Sequence, residues 1–177
     1  MSLLKSIQDG EGKTVEFKVE LPNSNTLAKT IIAFSNTGGG KLIIGVNDQG
    51  EIIGLEPDVN IFELKDKVAS IIYETCYPTV LPDIYTTTID DQLLLIIEVY
   101  RGNLLPYYLK NKGKNEGVYI RVGATNRKAS HENILELERQ RMNISFDQEA
   151  NREVELDSLD ISSLEGGFVR AGKVLDQ

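Results

Sequence analysis

Apolar and polar residues alternate from Lys13 to Leu21: Val15, Phe17, Val19 and Leu21 face one way, Thr14, Glu16, Lys18 and Glu20 the other. A period of two predicts a half-buried strand. Pro22-Asn23-Ser24-Asn25 breaks it. Leu27, Ile31 and Phe34 then recur at helical spacing, with Ala28 and Ala33 allowing close packing, which predicts a helix over roughly Thr26–Ser35. Asn36-Thr37-Gly38-Gly39-Gly40 ends it, because glycine takes the left-handed conformation that a helix C-terminus favours. Leu42-Ile43-Ile44-Gly45-Val46 reads as a buried strand, turned by Asp48-Gln49-Gly50 into Glu51–Leu55 to make a hairpin.

Phe62, Leu64, Val68, Ile71 and Ile72 predict a second helix over Ile61–Tyr73, closed before Pro78. Asp83–Ile89 and Leu93–Tyr100 read as strands around an Asp90-Asp91-Gln92 turn, and Tyr107–Leu109 and Gly117–Val122 flank a lysine-rich loop. Ser130 caps a last helix to about Met142, with Ile134 and Leu137 facing inward. Strands dominate and about three helices interrupt them, so the expected class is α+β with a mixed β-sheet. From Asn143 the pattern fails, and Gly166-Gly167 breaks what apolar run remains. The expected organisation is one domain over residues 1–144, with 145–177 an acidic linker or the start of a truncated C-terminal region.

A chain of 177 residues has room for one full core and not two comfortable ones. The single cysteine, Cys76, rules out an intramolecular disulfide and argues against a cysteine-only metal site, which suits a reducing cytoplasm. No apolar run reaches the roughly 18 residues of a spanning helix, so no membrane partner is expected. The net charge of −8 changes the picture only when it is divided. Residues 145–177 hold eight acids against three bases, whereas residues 101–128 hold Arg101, Lys110, Lys112, Lys114, Arg121, Arg127 and Lys128 against Glu116 alone. Charge acts within about a Debye length, roughly 8 Å, so a local basic cluster serves phosphate binding even on an acidic chain.

Gly38-Gly39-Gly40-Lys41 invites a phosphate-loop reading, but the order is helix, glycines, strand. A phosphate loop runs from strand into helix, whose N-terminal amides cradle the anion. Ser35, Asn36 and Thr37 beside the glycines leave a polar turn where backbone could approach a ligand. Glu11 and Glu16, five apart, would point to opposite faces of a continuous strand, and converge only if Gly10 and Gly12 bend the chain first. Convergent carboxylates could hold a divalent metal for phosphodiester hydrolysis. His131, the only histidine, lacks the partners that a triad or a zinc site would need. Tyr107 and Tyr108, beside the basic loop, are candidates to stack on bases.

Taken in order, Thr14-Val15-Glu16-Phe17-Lys18, Ile32-Ala33-Phe34-Ser35-Asn36-Thr37-Gly38-Gly39-Gly40, Leu42-Ile43-Ile44-Gly45-Val46-Asn47-Asp48 and Gly54-Leu55 resemble the Schlafen AlbA-like domain. Gly117-Val118-Tyr119-Ile120-Arg121-Val122-Gly123-Ala124-Thr125-Asn126 is similar to that family's closing motif, and the resemblance spans about residues 10–142. It implies an α/β domain that binds DNA or RNA, often as a dimer, in bacterial transcriptional regulators or divergent helicase-like proteins. Some animal members cleave RNA with three acids, onto which Glu11, Glu16 and, loosely, Glu56 would fall. The leading expectation is non-catalytic nucleic-acid binding with no cofactor. Lys110, Lys112, Lys114, Arg121, Arg127 and Lys128 would neutralise phosphates, with Lys18 and Asn126 as secondary contacts. The alternative is an endoribonuclease with Mg or Mn on Glu11, Glu16 and Glu56, and Lys18 near the scissile phosphate.

Overall fold

In the computed structural model, residues 2–165 are described, with side chains through residue 152. The elements run α1 (Leu3–Asp9), β1 (Val15–Lys18), α2 (Ser24–Asn36), β2 (Gly40–Ile44), α3 (Ile61–Thr75), β3 (Cys76–Tyr77), β4 (Asp83–Ile89), β5 (Gln92–Val99), β6 (Tyr108–Leu109), α4 (Gly113–Glu116), β7 (Tyr119–Val122), β8 (Thr125–Lys128) and α5 (His131–Glu165). The class is α+β, as expected. Two short helices, α1 and α4, add to the three that periodicity predicted.

Asn23 does more than end a strand: its side chain accepts from Thr26 N at 2.8 Å and caps α2. Nine of that helix's residues are buried, from Leu27 to Asn36, because α2 lies against β5, β7 and α3 together. Burying Leu27, Ile31, Ile32 and Phe34 contributes roughly 1.5–3 kcal/mol for each side chain. The helix carries the chain from β1 to β2, which pair in parallel; β2–β5 and β5–β4 are antiparallel, giving the order β1-β2-β5-β4. Register sets the two faces. Phe17, Ile43, Ile96 and Tyr85 form one row, against which Ile7 and Leu3 of α1 pack. Leu42, Ile97 and Ile84 form a row on the opposite face.

Two sequence expectations change. The first strand is four residues long, and Val19 is exposed where alternation placed it inside. The hairpin between Leu42–Val46 and Glu51–Leu55 reduces to one bridge, Val46 to Ile52. β2 already has β1 on one side and β5 on the other, so no edge is left for a third strand. The Asn47 side-chain Oδ1 instead accepts from Gln49 N and Glu51 N and folds the turn, and Leu55 N bonds to Leu93 O.

The chain divides after Glu138 into two units. In the first, Ser130 and Asn133 cap α5 reciprocally, Asn133 N donating to Ser130 Oγ and Ser130 N to Asn133 Oδ1, and Ile134 and Leu137 are buried as expected. In the second, α5 continues past the expected end near Met142 to Glu165, with Met142 and Phe146 exposed. Residues 166–177, including the Gly166-Gly167 break, lie outside the described residues.

Candidate nucleic-acid interface

The β7–β8 hairpin pairs Arg121 with Asn126, and both point inward. Arg121's side chain has no exposed surface. Its Nε donates to Gly12 O at 3.1 Å, Nη2 to Gly12 O at 2.9 Å and Val15 O at 3.1 Å, and Nη1 to Glu16 Oε1 at 2.6 Å and Asn126 Oδ1 at 2.8 Å. The guanidinium has five N–H donors, and this set matches that number. It also lies over the Phe34 ring, 5.1 Å from its centre. Asn126 turns its other end to Thr30 Oγ1 at 2.9 Å. The expectation that Arg121 and Asn126 contact phosphate is therefore corrected. They fasten the turn before β1 to the hairpin, and Arg121 has no donor left over for a ligand.

That turn decides the carboxylates. Gly10 sits at φ +90°, a conformation that side chains disfavour, and the chain bends before β1 begins. Glu11 thereby folds back to accept from Phe17 N at 2.9 Å. Burial raises its pKa, the Phe17 bond opposes the rise, and the neighbouring charges of Glu16 and Asp48 add to it. Glu11 and Glu16 thus converge, as the glycines allowed. Asp48, which reads as a turn residue in the sequence, is near enough for its charge to act on Glu11. Glu56 instead lines a separate pocket of about 170 Å³ with Leu55, Val59 and Leu64. Glu16 is held by Arg121 and, at 3.7 Å, by Lys18. Among the described residues, no group of three or more His, Cys, Asp or Glu side chains could hold a metal ion. The set Glu11, Glu16 and Glu56 is not assembled, and Lys18 answers Glu16.

The remaining basic residues gather around α4 and β8, and all are exposed. Lys112 is the residue before α4 and Lys114 lies within it. Lys114 pairs with Glu138 and Lys128 with Glu116. The Lys128 hydrogen bond holds Glu116's pKa below the usual carboxylate range, and the same bond raises that of Lys128. Lys110 lies over the Tyr73 ring, 5.8 Å from its centre, and Arg127 bonds to Thr125 Oγ1 within its own strand. Among the described residues, Lys110, Lys112 and Arg127 have no carboxylate within ion-pair distance. Lys29, outside the basic window and missed for that reason, lies over Tyr119 at 5.0 Å.

The glycine turn has an internal explanation. Gly39 sits at φ +75°, where a Cβ would come within 2.7 Å of Val99 O, and a Cβ on Gly40 would strike the Phe34 ring. The polar neighbours are equally committed. Asn36 accepts from Tyr107 N at 2.7 Å and donates to Tyr107 O and Tyr119 O, both at 2.9 Å. Ser35 Oγ donates to Ile31 O, and Thr37 Oγ1 donates to Ala33 O. Tyr107 is buried at 5% exposure and cannot stack on a base, contrary to expectation.

The family model for Schlafen, AlbA_2 matches residues 11–130. No curated protein matches the chain. Two solved structures share the fold. The DIP2311 protein from Corynebacterium diphtheriae matches with a TM-score of 0.53 and 23% identity, over 72% of this chain and 24% of that one. The N-terminal domain of an ATP-dependent DNA helicase RecG-related protein from Nitrosomonas europaea matches with a TM-score of 0.51 and 23% identity, over 72% of this chain and 91% of that one. The chain therefore spans about a quarter of the Corynebacterium protein's length.

Proposed function

The chain belongs to the Schlafen AlbA_2 family, and from that premise we propose that it is a nucleic-acid-binding domain that grips phosphates with the basic surface around α4 and β8. The observation that carries this reading is the group of exposed cations Lys110, Lys112 and Arg127, which have no carboxylate within ion-pair distance among the described residues. Lys114 and Lys128 extend the surface, because exposed ion pairs contribute about 0–1 kcal/mol and give way readily to a phosphate. Arg121 and Asn126 support the surface from beneath. The DNA-helicase description of the Nitrosomonas relative suits such an anchor, and a role in a transcriptional regulator is the corresponding proposal for this chain.

The test is a salt series on duplex DNA, single-stranded DNA and structured RNA, with the double variant Lys112→Glu/Lys114→Glu beside the native chain. Affinity should fall linearly on log–log axes by roughly 0.7–0.9 per phosphate neutralised, and the variant should bind every substrate more weakly. Unchanged binding by the variant sinks the proposal. Hydrolysis is the less favoured reading, because Glu16 is already held by two cations. Cleavage of RNA with Mg or Mn that Glu16→Ala abolishes would restore it, with Asp48 as the acid to examine next.

A further inference from the structure

β3 and β6 are two residues each, and their register sorts four side chains onto two faces. Cys76 and Leu109 pair on the inner face and are 1% and 3% exposed; Tyr77 and Tyr108 pair on the outer one. The Tyr77 and Tyr108 rings lie 5.5 Å apart between centres and are tilted by 49°. Tyr73, from the last turn of α3, is 66% exposed, and Tyr77 is 49% exposed. Lys110 ties this cluster to the basic surface. Its backbone N–H donates to Thr75 O at 2.8 Å, and its ammonium lies over the Tyr73 ring. Two residues further on is Lys112.

Large aromatic area left in water needs a reason, and several of the chain's other tyrosines commit their hydroxyls. Tyr85 and Tyr100 donate to Glu98 and Asp83, and Tyr107 accepts from Leu104 N. Tyr100 is also 59% exposed but ties its hydroxyl to Asp83, whereas Tyr73 and Tyr77 leave ring surface open and Lys110 lies over the Tyr73 ring. A duplex hides the faces of its bases in the stack, so it can offer this cluster only its backbone. An unpaired strand offers ring faces and phosphates together, and aromatic residues flanked by cations suit that combination.

We propose that Tyr73, Tyr77 and Tyr108 form a stacking platform for unpaired bases, with Lys110 and Lys112 on the adjoining phosphates, so that the surface favours single-stranded over duplex nucleic acid. The proposal rests on the nucleic-acid-binding reading above and names its substrate class. DNA and RNA strands share this chemistry and are separate arms of the test.

Fluorescence anisotropy decides it, using the full chain with labelled unstructured DNA and RNA strands of about 15 nucleotides, a length that covers the site of one small domain, and with the matching DNA duplex. Tyr73→Ala/Tyr77→Ala should weaken single-strand binding by about tenfold or more, as losing base stacking on an aromatic does, and leave duplex binding unchanged. Tyr73→Phe/Tyr77→Phe should restore it, because a phenyl ring stacks equally well. Lys112→Glu should weaken every complex. Native binding to duplex with no single-strand loss in the alanine variant overturns the platform, leaves the phosphate surface standing and assigns the aromatic face to a protein partner. Equal losses on strand and duplex, or failure of the phenylalanine rescue, also overturn it. No binding to any nucleic acid overturns both readings.

Discussion

Arg121→Met removes the donors that serve Gly12 O, Asn126 and Glu16 and one of the two that serve Val15 O, and leaves the largely buried Glu16 with only Lys18 at 3.7 Å. Breaking one side of a buried ion pair costs roughly 3–5 kcal/mol, so urea denaturation should show a loss of that size. Affinity of the folded protein for nucleic acid should be unchanged. Weaker binding at undiminished stability would return Arg121 to the interface. Glu11 gives a pH test. Its folded pKa is raised, chiefly by burial, so the native state holds that proton more tightly than the unfolded chain does. Ionised Glu11 therefore lowers stability above the raised pKa, and that cost disappears below the ordinary carboxylate value. Glu11→Gln keeps an acceptor for Phe17 N and should raise the melting temperature at neutral pH. The gain should shrink as pH falls through the carboxylate range; a gain constant with pH would refute the burial account. The sequence named Glu11, Glu16 and Arg121 as residues that matter. It did not reveal that they answer one another, because an arginine reads as a free cation until its partners, 105 and 109 residues away, are in place.

Elements with a clear hydrophobic period were legible: α2, α3, β4, β5 and the start of α5 lie where the pattern put them. Short polar ones were not. β8 is Thr125-Asn126-Arg127-Lys128, and its inward residue is an asparagine satisfied by Arg121 and Thr30, so no apolar alternation marks it. α4 has four residues and buries none. α1 did leave a trace, with Ser2 as cap and Leu3 and Ile7 one helical turn apart. The junction of α2 and β2 carries its own prediction. Gly39→Ala forces a side chain into the left-handed region and drives its Cβ toward Val99 O. Backbone strain alone costs about 1–3 kcal/mol, and the clash with main chain adds to it, so thermal denaturation should show at least that loss. A neutral Gly39→Ala would mean that the turn relaxes away from β5.

On the scale of the whole molecule, an acidic chain presents a basic surface because its charges are segregated, and ion pairing decides how much of that surface is available. Three cations without carboxylate partners predict a log–log salt slope of roughly −2 to −3, deepening to about −4 if Lys114 and Lys128 exchange their glutamates for phosphates. Glu116→Gln, which releases Lys128, should strengthen binding by up to about fivefold at low salt, the worth of an exposed pair. Weaker binding in that variant would show that Glu116 orders the surface instead of competing for it. Among the described residues no helix is long and apolar enough to cross a membrane, in line with the absence of a long apolar run. By itself the sequence determined the α+β class, the main elements, the inverted order that excludes a phosphate loop, and the place of the basic cluster. These depend on periodicity, order and local composition, all written along the chain. Only the tertiary structure decided which cations face water, which acids converge and which tyrosines remain open. Those outcomes depend on pairings between β1, α2 and the β7–β8 hairpin, and on the register that turns Arg121 and Asn126 inward while Tyr77 and Tyr108 turn out.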